Sequence, residues 1–386
     1  MAEIQGTCDA RFEEVRTQLR DFIASGEEVG AAIAVNLDGM DVVDLWGGFV
    51  DKEHSLPWSK DTIVTIFSST KTVLSLAVLI LVDRKVLSIN DKVSKFWPEF
   101  AANGKENIEI RHVLSHTSGV SGWDAGKPLS FEDISEIDEA AAKLAAQSPW
   151  WEPGTASGYH AWTFGHLLAE IVRRATGSTL RDFVHNEIVK PLGVDFQLGV
   201  SDSDLARTTN VIPAPLPPLT PGMLPQPGSI TFRTMNPLPM PADFANTPTW
   251  HRGNVPAASG YTNARALTRI LSAVSLGGTV DGKFLLSQET IDRIFEEQSN
   301  GTDLVIGAPL RFGVGYAITG EGGTAVADFL PNGRVCFWSG LGGSIAVMDL
   351  DRKLTITYVM NKLSNTGLGN KAAKTYIKAI YNALGV

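Results

Sequence analysis

Ser68-Ser69-Thr70-Lys71 sets a hydroxyl and an amine three residues apart, directly before an apolar run over 72–82. On a helix these two positions share a face, so the amine reaches the serine oxygen. The positive end of the helix dipole favours the neutral amine and lowers the lysine pKa. A neutral amine beside a serine is the pairing of general base and nucleophile. The tetrapeptide says little alone, because a chain of this length holds about one or two S-x-x-K by chance. Its ordinary reading is a serine cap with a surface lysine. Competing chemistries are less well served. No G-x-S-x-G occurs, so there is no nucleophile elbow. His112 and His116 stand at i, i+4 but lack the glutamate of H-E-x-x-H, so no metal or other cofactor is expected. Gly340, Gly342 and Gly343 precede no G-K-[ST], and close backbone approach to a substrate explains them better than a phosphate loop.

Three further motifs follow in order. They are Arg111-His112-Val113-Leu114-Ser115-His116-Thr117-Ser118-Gly119-Val120, Pro153-Gly154-Thr155-Ala156-Ser157-Gly158-Tyr159, and Phe337-Trp338-Ser339-Gly340-Leu341-Gly342-Gly343-Ser344. With the first tetrapeptide, this series resembles the penicillin-recognising, class C β-lactamase-like serine hydrolases, and within them the family VIII carboxylesterases. The resemblance runs from about Val29 to Lys362. It implies Ser68 as nucleophile, Lys71 and Tyr159 as sharers of the proton traffic, and the backbone amides of Ser68 and Leu341 as the oxyanion hole. Each oxyanion donor is worth roughly 3 kcal/mol of barrier. Which of Lys71 and Tyr159 is the acylation base stays open.

Two literal matches compete with these assignments. Tyr261-Thr262-Asn263 reproduces a Y-x-N triplet, but late in the chain and in a helix-cap setting before Ala264–Ser275. Trp46-Gly47-Gly48 reproduces W-x-G, but before the nucleophile, in an N-terminal hairpin. Tyr159 and Trp338 are the better choices. The departures from the β-lactamase pattern narrow the substrate. Trp338 stands where those enzymes carry a lysine, and Ala161 where they carry an asparagine, so a cation and an amide are missing. The resemblance therefore implies small neutral esters, with Trp338 as an apolar wall facing the substrate, and Ser339, Gly340 and His160 as further substrate contacts. For His160 and His166, the commoner role is structural. Cys336 reads as a small buried hydrophobe. An acyltransferase, an amide or lactam hydrolase, or a silent binding homologue are the alternatives. Intact Ser68, Lys71 and Tyr159 speak against the last.

The elements that must position these residues are legible in outline. Residues 8–25 carry an amphipathic helical pattern, and Ala31–Asn36 and Asp41–Val50 read as strands joined at Asp38-Gly39. Phe312–Ile318, Gly333–Trp338, Ser344–Asp349 and Leu354–Met360 are β-type runs, closed by a helix over 371–384. Helical spacing marks 71–86, 132–147, 161–176 and 179–190. The predicted fold is thus α/β (α+β), with an antiparallel sheet built from both termini and an inserted, mostly helical domain. The expected division is 1–67 with 255–386 for the sheet domain, 68–200 for the helical domain, and 201–254 for a Pro-rich segment bordering the site. Within it, 212–242 is expected to lack regular structure, with Leu216, Leu219, Met223, Leu224 and Met240 bordering an acyl pocket.

Composition limits the partners. The 386 residues hold 42 acidic against 33 basic side chains, a formal charge of −9, which argues against nucleic acid or an anionic membrane. No apolar run approaches the ~20 residues of a membrane span. Two cysteines and no secretory leader point to the cytoplasm. The partner expected is a small ester or acyl compound, and the oligomeric state is open.

Overall fold

The computed structural model describes residues 3–124, 129–215, 225–235 and 243–386. Among them, nine strands form one antiparallel sheet: β1 Gln5–Cys8, β2 Gly30–Leu37, β3 Met40–Gly48, β4 Ser299–Thr302, β5 Pro309–Phe312, β6 Ala317–Ile318, β7 Val335–Ser339, β8 Ile345–Asp349 and β9 Leu354–Met360. Their spatial order is β1-β3-β2-β9-β8-β7-β6-β5-β4, so the two chain ends meet where β2 pairs with β9. The expected architecture is present. Asp38 and Gly39 both take positive φ, as a tight hairpin turn requires, and hold Leu37 opposite Met40.

Both faces of the sheet are covered, which is why β9 is buried along its whole length. Neighbouring residues of a strand point to opposite faces. Thr357 meets Thr268 of the helix Ala264–Ser275 at 2.6 Å. Tyr358 packs on Tyr376 of the C-terminal helix Lys371–Ala383, ring centres 5.4 Å apart. The helix Glu13–Ala24 lies beside that C-terminal helix through Phe22 and Tyr376.

Four local expectations are corrected. Residues 8–25 are not one helix: Cys8 ends a strand, and the Asp9 carboxylate accepts from Arg11 N at 3.0 Å to start a separate turn. Phe312–Ile318 is not one strand, because the chain reverses between β5 and β6. There Gly313 packs so closely that a Cβ would lie 1.8 Å from Ile294 O. The run 132–147 breaks at Glu136, which has non-helical φ/ψ, into Phe131–Ser135 and Ile137–Ala146. The Pro-rich stretch contains a helix, Ile230–Met235, fixed by Thr234 on Ser121 and Arg233 on Asp124. Leu216, Leu219, Met223, Leu224 and Met240 lie outside the described residues.

The helix Thr70–Asp83 shows no amphipathic pattern because every residue from Thr70 to Leu81 is buried. Among the described residues, no helix is long and apolar enough to cross a membrane.

Candidate active site

The turn carrying Ser68 is held from both sides. Val64–Thr65 pairs with Gly260–Thr262, and Ile66 N donates to Gly260 O at 2.9 Å. Phe67 then adopts φ +46°, a left-handed conformation that costs a non-glycine residue roughly 1–3 kcal/mol. Its ring is fixed between Phe244 and Trp250, centroids 6.1 and 5.7 Å away. This reversal leaves Ser68 half-buried just before the helix Thr70–Asp83.

Lys71 is no surface residue. It is 2 % exposed, and its Nζ lies 3.0 Å from Ser68 Oγ, 2.8 Å from Ala161 O and 3.1 Å from Ala257 O. Burial holds its pKa well below the usual lysine range. Desolvation is the cause, one that the sequence argument from the helix dipole did not name. A neutral amine has two N–H donors and one lone pair. Nζ donates to Ser68 Oγ and to the two carbonyls; in the neutral form the carbonyls would keep both donors and the lone pair would face the Ser68 hydroxyl.

Tyr159 comes in on a segment laid along the His116–Gly119 turn. Gly119 O accepts from Trp150 N at 2.7 Å, Thr117 O from Gly154 N at 2.8 Å, and His116 O from Gly158 N at 2.9 Å. The second motif is therefore a backbone template for the third. Tyr159 is buried, with Lys71 Nζ 4.9 Å from its ring centre and Ser68 close enough to act on its phenol. Burial raises the phenol pKa, and the bonds to Ser68 and Trp338 oppose that rise. His116 packs on the Tyr159 ring, and its Nδ1 accepts from His160 N at 3.2 Å. His112 Nδ1 accepts from Glu109 N at a helix start, away from this cluster.

The fourth motif lies on β7 and the turn after it. Gly340 meets the nucleophile turn so closely that a Cβ would sit 2.3 Å from Ile66 O. Ser344 Oγ donates to Ile66 O at 2.9 Å and lies 3.0 Å from Ser69 Oγ, stapling the two turns together. Sequence reasoning missed this role of Ser344. Leu341 opens the turn and is 44 % exposed. Ser339 Oγ donates to Gly367 O at 3.3 Å.

Two expectations about substrate contacts change. Trp338 is 4 % exposed, packed on Tyr159 and Phe312, and its indole N–H donates to Tyr159 Oη at 3.3 Å. It backs the tyrosine instead of walling the substrate. His160 is fully buried, with Nε2 on Ser118 Oγ at 2.6 Å and Nδ1 on Gly158 O at 2.7 Å, so no ring nitrogen is left for a substrate. His166 is spent likewise, on Ile134 O and Trp162 O. Trp46 sits on β3, four strands from β7, and bonds Gln5. Tyr261 is buried in the strand paired with Val64–Thr65.

Residues 15–379 match the family model described as Beta-lactamase. The chain belongs to the beta-lactamase family. One similar relative is the "Esterase/beta-lactamase LipL" of Mycobacterium tuberculosis, 32 % identical, with 93 % of this chain and 83 % of that protein aligned. Among solved structures, a family VIII carboxylesterase is similar at TM-score 0.90 and 32 % identity, covering 99 % of this chain and 100 % of the other. A penicillin-binding protein homologue from Caulobacter crescentus is similar at TM-score 0.89 and 33 % identity, with the same coverage. The four motifs of this beta-lactamase-family chain thus converge in space: Ser68, Lys71 and Tyr159 form one cluster, flanked by the Gly340–Gly343 turn.

Proposed function

We propose that this beta-lactamase-family chain is a serine carboxylesterase acting on small neutral esters. The observation that carries the reading is the buried Lys71 amine, 3.0 Å from Ser68 Oγ, with the Tyr159 ring centre 4.9 Å from the same Nζ. Ser68 Oγ attacks the ester carbonyl carbon while its proton passes into the Lys71–Tyr159 pair. The C–O bond of the ester then breaks, and the pair returns a proton to the departing alkoxide. Water attacks the acyl-enzyme, giving the acid and free Ser68. The Ser68 and Leu341 amides receive the oxyanion at both tetrahedral stages. The names of the relatives, esterase and carboxylesterase, support the reaction class. Neutral esters are favoured because Trp338 and Ala161 present neither a cation nor an amide side chain. The two cysteines, which are free thiols, suit a cytoplasmic setting.

A β-lactam is the second substrate class, favoured by the joint name of the Mycobacterium tuberculosis relative. A series of nitrophenyl esters of rising acyl length, run beside a chromogenic cephalosporin, tests both. Ester kcat/KM is expected to exceed the cephalosporin value by at least about 100-fold, equivalent to roughly 2.7 kcal/mol. Faster cephalosporin turnover would reverse the assignment.

Trp338→Phe keeps an aromatic ring and removes only the N–H that meets Tyr159 Oη. Loss of one such bond corresponds to about 1 kcal/mol, so kcat is expected to fall roughly three- to tenfold with Tm nearly unchanged. A lowered Tm with unaltered kcat would make Trp338 a core filler.

A further inference from the structure

One buried carboxylate outside the Ser68, Lys71 and Tyr159 cluster is directed at the backbone that carries the tyrosine. Asp303 opens the turn between β4 and β5. Asp303 N donates to Ala308 O at 3.0 Å, and Gly307 N donates to Asp303 O at 2.9 Å. Its side chain is fully buried. Oδ1 accepts from Val305 N and Ile306 N, both at 2.9 Å, and from Tyr159 N at 3.1 Å. Leu304 N donates in turn to Ser157 O at 2.8 Å. The segment 157–159 is therefore gripped at two points by bonds of opposite direction. Closing the turn needs only an acceptor at Oδ1, which a solvent-exposed Asp or Asn supplies without desolvation. Here the carboxylate is buried and Oδ2 has no protein partner, an arrangement that is unfavourable by itself. The bond to Tyr159 N is what the burial gains.

We infer that Asp303 is a positioning residue: by accepting from Tyr159 N, it sets the distance between the phenol and Ser68. The inference rests on the reading of Tyr159 as a member of the proton relay. Four other groups bear on the Tyr159 side chain: Lys71 from the helix Thr70–Asp83, Ser68 from the turn before it, Trp338 from β7, and His116, whose ring packs on it. His116 also holds the neighbouring Gly158 N and His160 N. Asp303 is the group that holds Tyr159 N itself.

The test is ester turnover per active site, with sites counted by covalent phosphonate labelling. Asp303→Ala is expected to lower kcat about 100-fold with KM within about twofold, since a displacement near 1 Å has that effect on a positioned group. Asp303→Asn keeps the acceptor oxygen but loses the charge assistance, and is expected to lower kcat only about three- to tenfold. Unchanged kcat per labelled site in either variant would overturn the inference. So would a loss confined to KM, or equal losses in Asn and Ala. If Asp303→Ala does not fold, the Asn value alone decides by the same criteria. The underlying reading is checked separately with Tyr159→Phe. If that variant turns over ester at the wild-type rate, the relay itself is refuted, whatever the Asp303 variants do.

Discussion

Ser68→Ala is expected to abolish ester hydrolysis, a fall in kcat on the order of 10⁴- to 10⁶-fold, because no other group can form the acyl-enzyme. The substitution removes one oxygen from a half-buried position. It leaves intact the bonds that shape the turn, which run through Ile66, Ser69 and Ser344. Tm should therefore change little. Incubation of the wild type with a phosphonate ester, followed by peptide mapping, should place the label on Ser68. Near-normal turnover in the variant, or a label on another serine, would remove Ser68 from the mechanism. Ser69 and Ser118 are the informative alternatives, since both are buried in existing hydrogen bonds and poorly placed to react.

Lys71→Ala and Tyr159→Phe are each expected to lower kcat by about 10²- to 10⁴-fold, the range of one general acid–base group. Both act on the same proton, so the double variant should lose far less than the product of the two. Multiplicative losses would argue for independent roles. The pH dependence follows from burial. The folded pKa of Lys71 is lowered, so the active, neutral amine persists well below the ordinary lysine range. Acylation should fall as the pH drops through that lowered value. Stability has the same sign. Between the folded and unfolded pKa values the unfolded chain carries a proton that the folded chain lacks, so this group makes stability rise with pH. Lys71→Met should flatten that slope. An unchanged slope, measured by denaturant unfolding across pH, would mean that Lys71 is charged in the folded protein.

The proximity of Ser68 and Lys71 was legible in the sequence because it is local, a matter of three residues across the turn that leads into one helix. So were the Asp38-Gly39 hairpin, whose two positive φ angles those residues tolerate, and the strands at both chain ends. The order of the four motifs pointed to the family and to the same cluster. Residues whose role depends on a distant neighbour were not legible. Trp338 looked like a substrate wall, but the packing of Phe312 and Tyr159 turned its indole onto the phenol. His160 looked available until Ser118 and Gly158 took both its nitrogens. Asp303 was not legible because its contact with Tyr159 N joins segments 144 residues apart.

The sequence by itself determined which residue types stand at helix and turn positions, and hence which groups are able to react. The tertiary structure alone decided their protonation and aim. Burial between segments 90 and 186 residues away lowers the Lys71 pKa, and Tyr159 N is held by a carboxylate 144 residues away. Desolvation and hydrogen-bond direction arise from such contacts between remote segments, and no local pattern of residues encodes them.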